Sequence, residues 1–254
     1  MTISNPLDAI RVQSLSYAYT HSRSGGQAVR DLDFVIPLGA RVLLCGPNGA
    51  GKSTLLSILG GRRLIPRGKV LMLGGREAFH DCSLHTEVRY LGDWWRQDFF
   101  MAVSVRNLMG AERLANCEEL RAILGVDLDW MINQLSDGQR RRCQLLDSLS
   151  APGAKVLLLD EATADLDLLA RQRLLTYCSK LSREQGVSVI YATHILDCMD
   201  DDWPTHVMFM AGGRLRQFSS TATCKRLIEL RDELKGVSAI YRLIKEWMLE
   251  TEHE

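Results

Sequence analysis

Ile10, Val12, Leu15, Tyr17 and Tyr19 alternate in part with polar residues, and the pattern breaks at Thr20-His21-Ser22-Arg23-Ser24-Gly25-Gly26. This predicts a strand followed by a loop. Leu32 to Ile36 predicts a second strand, which turns at Pro37-Leu38-Gly39 into the apolar run Arg41-Val42-Leu43-Leu44-Cys45. Leu55-Leu56-Ser57-Ile58-Leu59 favours helix, Pro66-Arg67-Gly68 marks a turn, and Lys69 to Leu73 reads as a short strand closed by Gly74-Gly75. Glu87 to Leu91 predicts another strand. From Val103 to about Leu135 the apolar spacing turns helical, with Val105, Leu108, Met109, Leu120, Ile123 and Leu124 in phase. A further helix spans Arg140 to Leu149 and stops at Ala151-Pro152-Gly153.

Lys155 to Leu159 is apolar after its first residue and ends in Asp160-Glu161, as a strand buried on both faces should. A helix from Leu168 to Leu181 and a strand from Val187 to Thr193 repeat the alternation, which predicts a parallel sheet. His206 to Met210 and Arg214 to Phe218 flank Gly212-Gly213 and read as a hairpin. The tail from Thr221 is helical with a break near Gly236, and its stripe of Val237, Ile240, Tyr241, Ile244 and Met248 predicts packing onto the parent domain. The expected organisation is an α/β domain over residues 1–220, with an antiparallel β portion and a helical subdomain at about 101–150, then a helical tail over 221–254.

Composition narrows the class. Lys plus Arg and Asp plus Glu number 31 each, so no overall basic field indicates nucleic acid or an acidic membrane. The seven cysteines form no C-x-x-C pair and read as reduced thiols of a cytoplasmic or nuclear protein. Met1 to Ile10 lacks the features of a leader, and no apolar run approaches the length of a membrane span. Asp200-Asp201-Asp202 reads as a solvated face, and Arg140-Arg141-Arg142 as part of a structural helix.

Chemistry enters at Gly46-Pro47-Asn48-Gly49-Ala50-Gly51-Lys52-Ser53-Thr54, which joins a strand to a helix. Gly-x-x-x-x-Gly-Lys-Ser/Thr in that context is a phosphate-binding loop. Its backbone N–H groups curl around phosphates, Lys52 reaches the β- and γ-phosphates, and Ser53 ligates Mg²⁺. Asp160, at a strand end, suits a Mg²⁺ ligand opposite Ser53. Glu161 is placed to take a proton from an attacking water, and His194 follows the next strand, where a parallel sheet gathers functional groups.

Together with Leu135-Ser136-Asp137-Gly138-Gln139, these motifs resemble the ATP-binding cassette ATPases from Ile10 to about Phe218. The resemblance implies a phosphate-loop α/β core, ATP and Mg²⁺ as ligands, and a head-to-tail homodimer formed on ATP binding. Ser136 and the Gly138 N–H would then face the partner's γ-phosphate, and Ala164-Asp165-Leu166-Asp167 would cross the interface. His194 matches the family's switch residue. Tyr19 matches the aromatic that stacks on adenine, with Tyr17 as competitor.

Three positions depart from the pattern: Asp137 replaces a glycine, Ala162 a proline, and Asp93 stands where a Mg²⁺-contacting glutamine is expected, with Gln97 the nearest substitute. Short stretches such as Tyr90-Leu91-Gly92 and Asp165 to Arg171 look like the stand-alone eukaryotic cassettes, which include a fungal factor associated with transcription and mRNA deadenylation and its plant relatives. The expected function is a soluble ATPase acting as a switch on an unidentified protein partner. A transporter's ATPase subunit docking through Trp94 to Phe100, and an ATP-binding scaffold, are the competing readings.

Overall fold

The computed structural model describes residues 7–19, 26–92, 102–196, 199–233 and 238–252. In chain order its strands are β1 (Asp8–Ala18), β2 (Gln27–Pro37), β3 (Arg41–Cys45), β4 (Val70–Met72), β5 (Arg76–Glu77), β6 (Val88–Leu91), β7 (Val156–Asp160), β8 (Ser188–Ala192), β9 (His206–Ala211) and β10 (Arg214–Ser220). The helices are α1 (Lys52–Leu59), α2 (Val105–Ala115), α3 (Glu118–Leu124), α4 (Asp137–Ser150), α5 (Leu168–Gln185), α6 (Lys225–Glu233) and α7 (Ala239–Glu252).

Two sheets form. One is antiparallel in the order β2-β1-β4-β5, and the other runs β10-β9-β3-β8-β7-β6, parallel except for the β9–β10 hairpin. The mixed α/β architecture expected from the sequence is therefore present, with its antiparallel portion and hairpin. Strand alternation explains the layering, because successive side chains point to opposite faces. Leu43, Leu157, Leu159, Val189, Tyr191, Val207 and Phe209 join a core shared with α2–α7. Their neighbours Val42, Leu44, Val156, Leu158, Ile190, Met208 and Met210 join a second core with α1 and the antiparallel sheet.

The helical region departs from a single periodic stretch. α2 and α3 are separate, α2 kinks at Gly110 (φ 73°), and a 3₁₀ turn covers Ile132–Gln134. α4 begins at Asp137 rather than Arg140, because Ser136 and Gln139 form a reciprocal capping box that starts the helix earlier. All three following arginines bond within the chain: Arg140 to Asp137 and the Leu135 carbonyl, Arg141 to Asp165, and Arg142 to Asp167 and the Leu124 carbonyl.

The tail packs as expected, but through a different stripe. Ile240, Leu243, Ile244 and Trp247 are buried while Tyr241 is 45% exposed, and the Trp247 ring lies 5.7 Å from Phe209. The i, i+3, i+4, i+7 set centred on Leu243 covers more core than one that includes Tyr241. Val237 and Gly236 lie outside the described residues. The acidic run also has a structural role: Asp201 accepts from Ser238 Oγ, the Ala239 N–H at 2.7 Å and the Ile240 N–H at 3.3 Å, and so caps α7. Arg231 donates to the Asp201 carbonyl at 2.8 Å, and Arg226 joins α6 to Glu246 of α7 at 2.9 Å.

Candidate functional site

The carboxyl ends of β3, β7 and β8 lie side by side, with Leu44 in register with Ala192 and Asp160 with Ala192. Parallel strands so aligned deliver the residues that follow them to one edge. A cavity of about 500 Å³ opens there, walled by Tyr19, the loop residues Asn48 to Thr54, Glu161 and His194. Two other clefts, beside α5 and beside residues 151–155, contain none of the residues singled out for chemistry.

The loop's shape rests on glycine. Gly46 (φ 144°) and Gly51 (φ 99°) lie in the left-handed half of backbone space, and a Cβ on either would sit 2.0 Å from the Met210 oxygen or 2.5 Å from the Ala28 oxygen. Lys52 opens α1 and folds back, its Nζ donating to the carbonyls of Gly46 at 2.7 Å and Pro47 at 3.0 Å. Burial lowers its pKa, and the charges of Glu161, Cys45 and Asp160 oppose that shift. Cys45, directly under the loop, is buried, and its thiol is pushed up to about 12. Such a thiol is inert.

Ser53 Oγ donates to Asp160 Oδ1 at 3.0 Å, and the Tyr90 hydroxyl donates to Asp160 Oδ2 at 3.2 Å. Burial holds the Asp160 carboxyl above the usual carboxylate range, and the two hydroxyls act against that. An oxygen-only pair of hydroxyl and carboxylate suits a hard divalent cation such as Mg²⁺. Among the described residues no three His, Cys, Asp or Glu side chains gather as a metal site, so further ligands would be phosphate or water.

Glu161 takes a left-handed conformation (φ 51°) just beyond β7, and its N–H donates to the Ala192 carbonyl at 3.0 Å. A non-glycine residue held there stores strain, which functional sites tolerate. His194 Nδ1 lies 3.0 Å from Glu161 Oε1, while Glu161 Oε2 is buried with no hydrogen-bond partner among the described residues. A carboxylate oxygen at that distance pairs with a hydrogen on His194 Nδ1.

Of the two aromatic candidates, Tyr19 lines the cavity, its hydroxyl 3.1 Å from Thr54 Oγ1, while Tyr17 packs edge-on against it at 5.3 Å. The Arg63 guanidinium lies 5.1 Å from the Tyr19 ring centroid. Ser136 and Gly138 stand at the start of α4 and form no part of the cavity wall. Asp93, Gln97 and the Trp94 to Phe100 stretch lie outside the described residues. Sequence reasoning missed Tyr90 and Arg63. Tyr90 carried one signal, a hydroxyl-bearing aromatic near the carboxyl end of a strand next to the Asp160 strand.

Comparison with known proteins bears on this geometry. The family model described as ABC transporter matches residues 29–164. The chain is 40% identical over 227 residues to the Arabidopsis thaliana protein "ABC transporter I family member 20", covering 82% of this chain and 68% of that protein. It is 37% identical over 229 residues to the Saccharomyces cerevisiae "CCR4-associated factor 16", covering 82% and 77%. Among solved structures, a dimeric ATP-binding cassette in a post-hydrolysis state with ADP and Pi matches with a TM-score of 0.71 at 19% identity, covering 83% of this chain and 98% of that one.

Proposed function

The chain belongs to the ABC transporter family of ATP-binding cassettes, and from that premise we propose that it works as a stand-alone Mg-ATP-driven switch on a partner protein rather than as the motor of a membrane pump. As a member of that family it is an ATP hydrolase. One observation carries the reading of a two-chain site: the cavity holds Lys52, Ser53, Glu161 and His194, while the signature residues Ser136 and Gly138 lie outside its wall. A second copy would supply them, and a two-fold pair satisfies both surfaces at once.

Within that pair the roles follow from the contacts. Lys52 exchanges its two loop carbonyls for the β- and γ-phosphates, and the loop N–H groups hold the remaining oxygens. Ser53 and Asp160 would hold Mg²⁺, which neutralises charge on the phosphates when bound. Glu161 accepts the proton of the attacking water on its unpartnered Oε2, and His194 steadies that carboxylate through Oε1. Tyr19 presents its ring to adenine, with Arg63 against the same ring. Gln97 is retained as a candidate Mg²⁺ contact on sequence grounds alone.

One relative carries a name that associates it with CCR4, in line with a role in transcription or mRNA regulation in the cytoplasm or nucleus. No described helix is long and apolar enough to cross a membrane. Similarity to a cobalt import ATP-binding protein of Rhodobacter capsulatus, 35% identical, keeps the transporter subunit as the second reading.

Glu161→Gln keeps the shape of the site and removes the proton acceptor. Purified Glu161→Gln protein should dimerise when Mg-ATP is added, as read by sedimentation, with turnover about 10²-fold or more below wild type. Wild-type activity should rise more than linearly with protein concentration. Protein that stays monomeric with Mg-ATP, yet gains activity with solubilised membranes, would favour the transporter instead.

A further inference from the structure

Tyr90 lies on β6 in register with Leu158, so Asp160 is two residues further along the neighbouring strand and on the same face. That diagonal spacing is within reach of an aromatic side chain. The hydroxyl spans it and donates to Asp160 Oδ2 at 3.2 Å, while Ser53 occupies Oδ1 at 3.0 Å. Both carboxylate oxygens are thus engaged by hydroxyl donors. Only Ser53 lines the cavity.

Two glycines make room for the ring. Gly60, with an ordinary φ of −75°, would place a Cβ 2.7 Å from Tyr90 Cβ. A Cβ on Gly92 would fall 2.3 Å from the Tyr90 hydroxyl oxygen and 2.5 Å from Cζ. Gly92 is not among the residues with positive φ, so neither backbone demands glycine. The volume of the tyrosine does. α1, β6 and the residue after β6 therefore all shape one pocket around a phenol whose hydroxyl reaches the buried Asp160.

We propose that Tyr90 is the positioning residue that fixes the Asp160 carboxylate for a divalent cation, leaving Ser53 available to the nucleotide side of the site. This rests on the Mg-ATP reading above. A partner that orients a metal-ligating carboxylate typically changes metal affinity by about 10- to 100-fold when removed. A ring that merely fills space would not, because Tyr90→Phe keeps the volume.

The test is calorimetric. ATP is titrated into wild-type and Tyr90→Phe protein in EDTA and in Mg²⁺, and Mn²⁺ is then titrated into each preformed protein–ATP complex. Tyr90→Phe should bind metal-free ATP within about twofold of wild type, while Mn²⁺ affinity falls about tenfold. Gly92→Ala keeps the hydroxyl but displaces it, and should lower Mn²⁺ affinity in the same direction, which guards against a folding defect in either variant. Unchanged Mn²⁺ affinity in both folded variants would overturn the proposal and leave the Mg-ATP reading intact. Wild-type protein that binds ATP equally well with and without metal would overturn both.

Discussion

Lys52 is a cation in a place that disfavours cations: burial lowers its pKa from the ordinary 10.5, and its ammonium donates to two carbonyls of its own loop. Phosphate brings negative charge within reach and favours the protonated form. In the window between the lowered pKa and 10.5 the protein without nucleotide holds Lys52 partly neutral, so ATP binding there takes up protons and weakens as pH rises. Calorimetry at a pH just below 10.5, in buffers of different ionisation heat, should show an uptake of a fraction of one proton. Lys52→Ala should lose both the uptake and tight binding, and a binding-linked uptake that survives the substitution would place the proton elsewhere. The same residue shows what sequence reveals at this scale. The Lys52 motif is contiguous and legible, whereas the hydrogen bond from Tyr90 to Asp160 spans 70 positions and depends on a strand register that no local spacing encodes.

At the scale of elements, legibility followed burial. β3, β7 and β8 are buried at every position, so their continuous apolar runs marked them plainly. α2 and α3 are short and mostly half-exposed, and their boundaries come from Ser104 capping one and Gly125 (φ 61°) closing the other. A blurred helical stretch was all that periodicity offered there. α4 adds a correction of weight, because Asp137 is the first residue of the helix and its Oδ1 accepts from Arg140 at 3.1 Å. An acid in the first turn complements the helix dipole, commonly by about 0.3–1 kcal/mol. Asp137→Gly should therefore lower the melting temperature by a few degrees, while ATP-driven dimerisation at matched salt stays within about threefold of wild type. If the glycine variant instead dimerised tenfold more tightly, the carboxylate would be facing the partner's phosphate. α4 is also tied to the loop before α5, through Arg141 to Asp165 and Arg142 to Asp167 at 3.7 Å. The first turns of α4 are thereby tethered to the loop that follows Glu161.

The whole molecule is closed by its tail. Leu227, Leu230, Ile240, Leu243, Ile244 and Trp247 are buried in the core that also holds Phe209 and Tyr191. Burying six such side chains contributes on the order of 10 kcal/mol at about 1.5–3 kcal/mol each, which is comparable with the entire net stability of a domain, about 5–15 kcal/mol. A chain cut after Cys224 should be insoluble on expression. Trp247→Ala should fold but lose about 3–5 kcal/mol by denaturant titration, and a soluble, cooperative truncated chain would show that the tail only decorates the core. The cap on α7 adds a consequence in time. Asp201 lies seven residues beyond His194, and its partners Ser238, Ala239 and Ile240 come 37 to 39 positions later. On the ribosome, then, Asp201 emerges well before its α7 partners, although Trp203 two residues on can already bond to Arg41 and Leu175. The phosphate loop is made early, but its strand β3 pairs only with β8 and β9 and Gly46 packs against Met210, so the grip on nucleotide and the edge that cleaves it are completed together, late in synthesis.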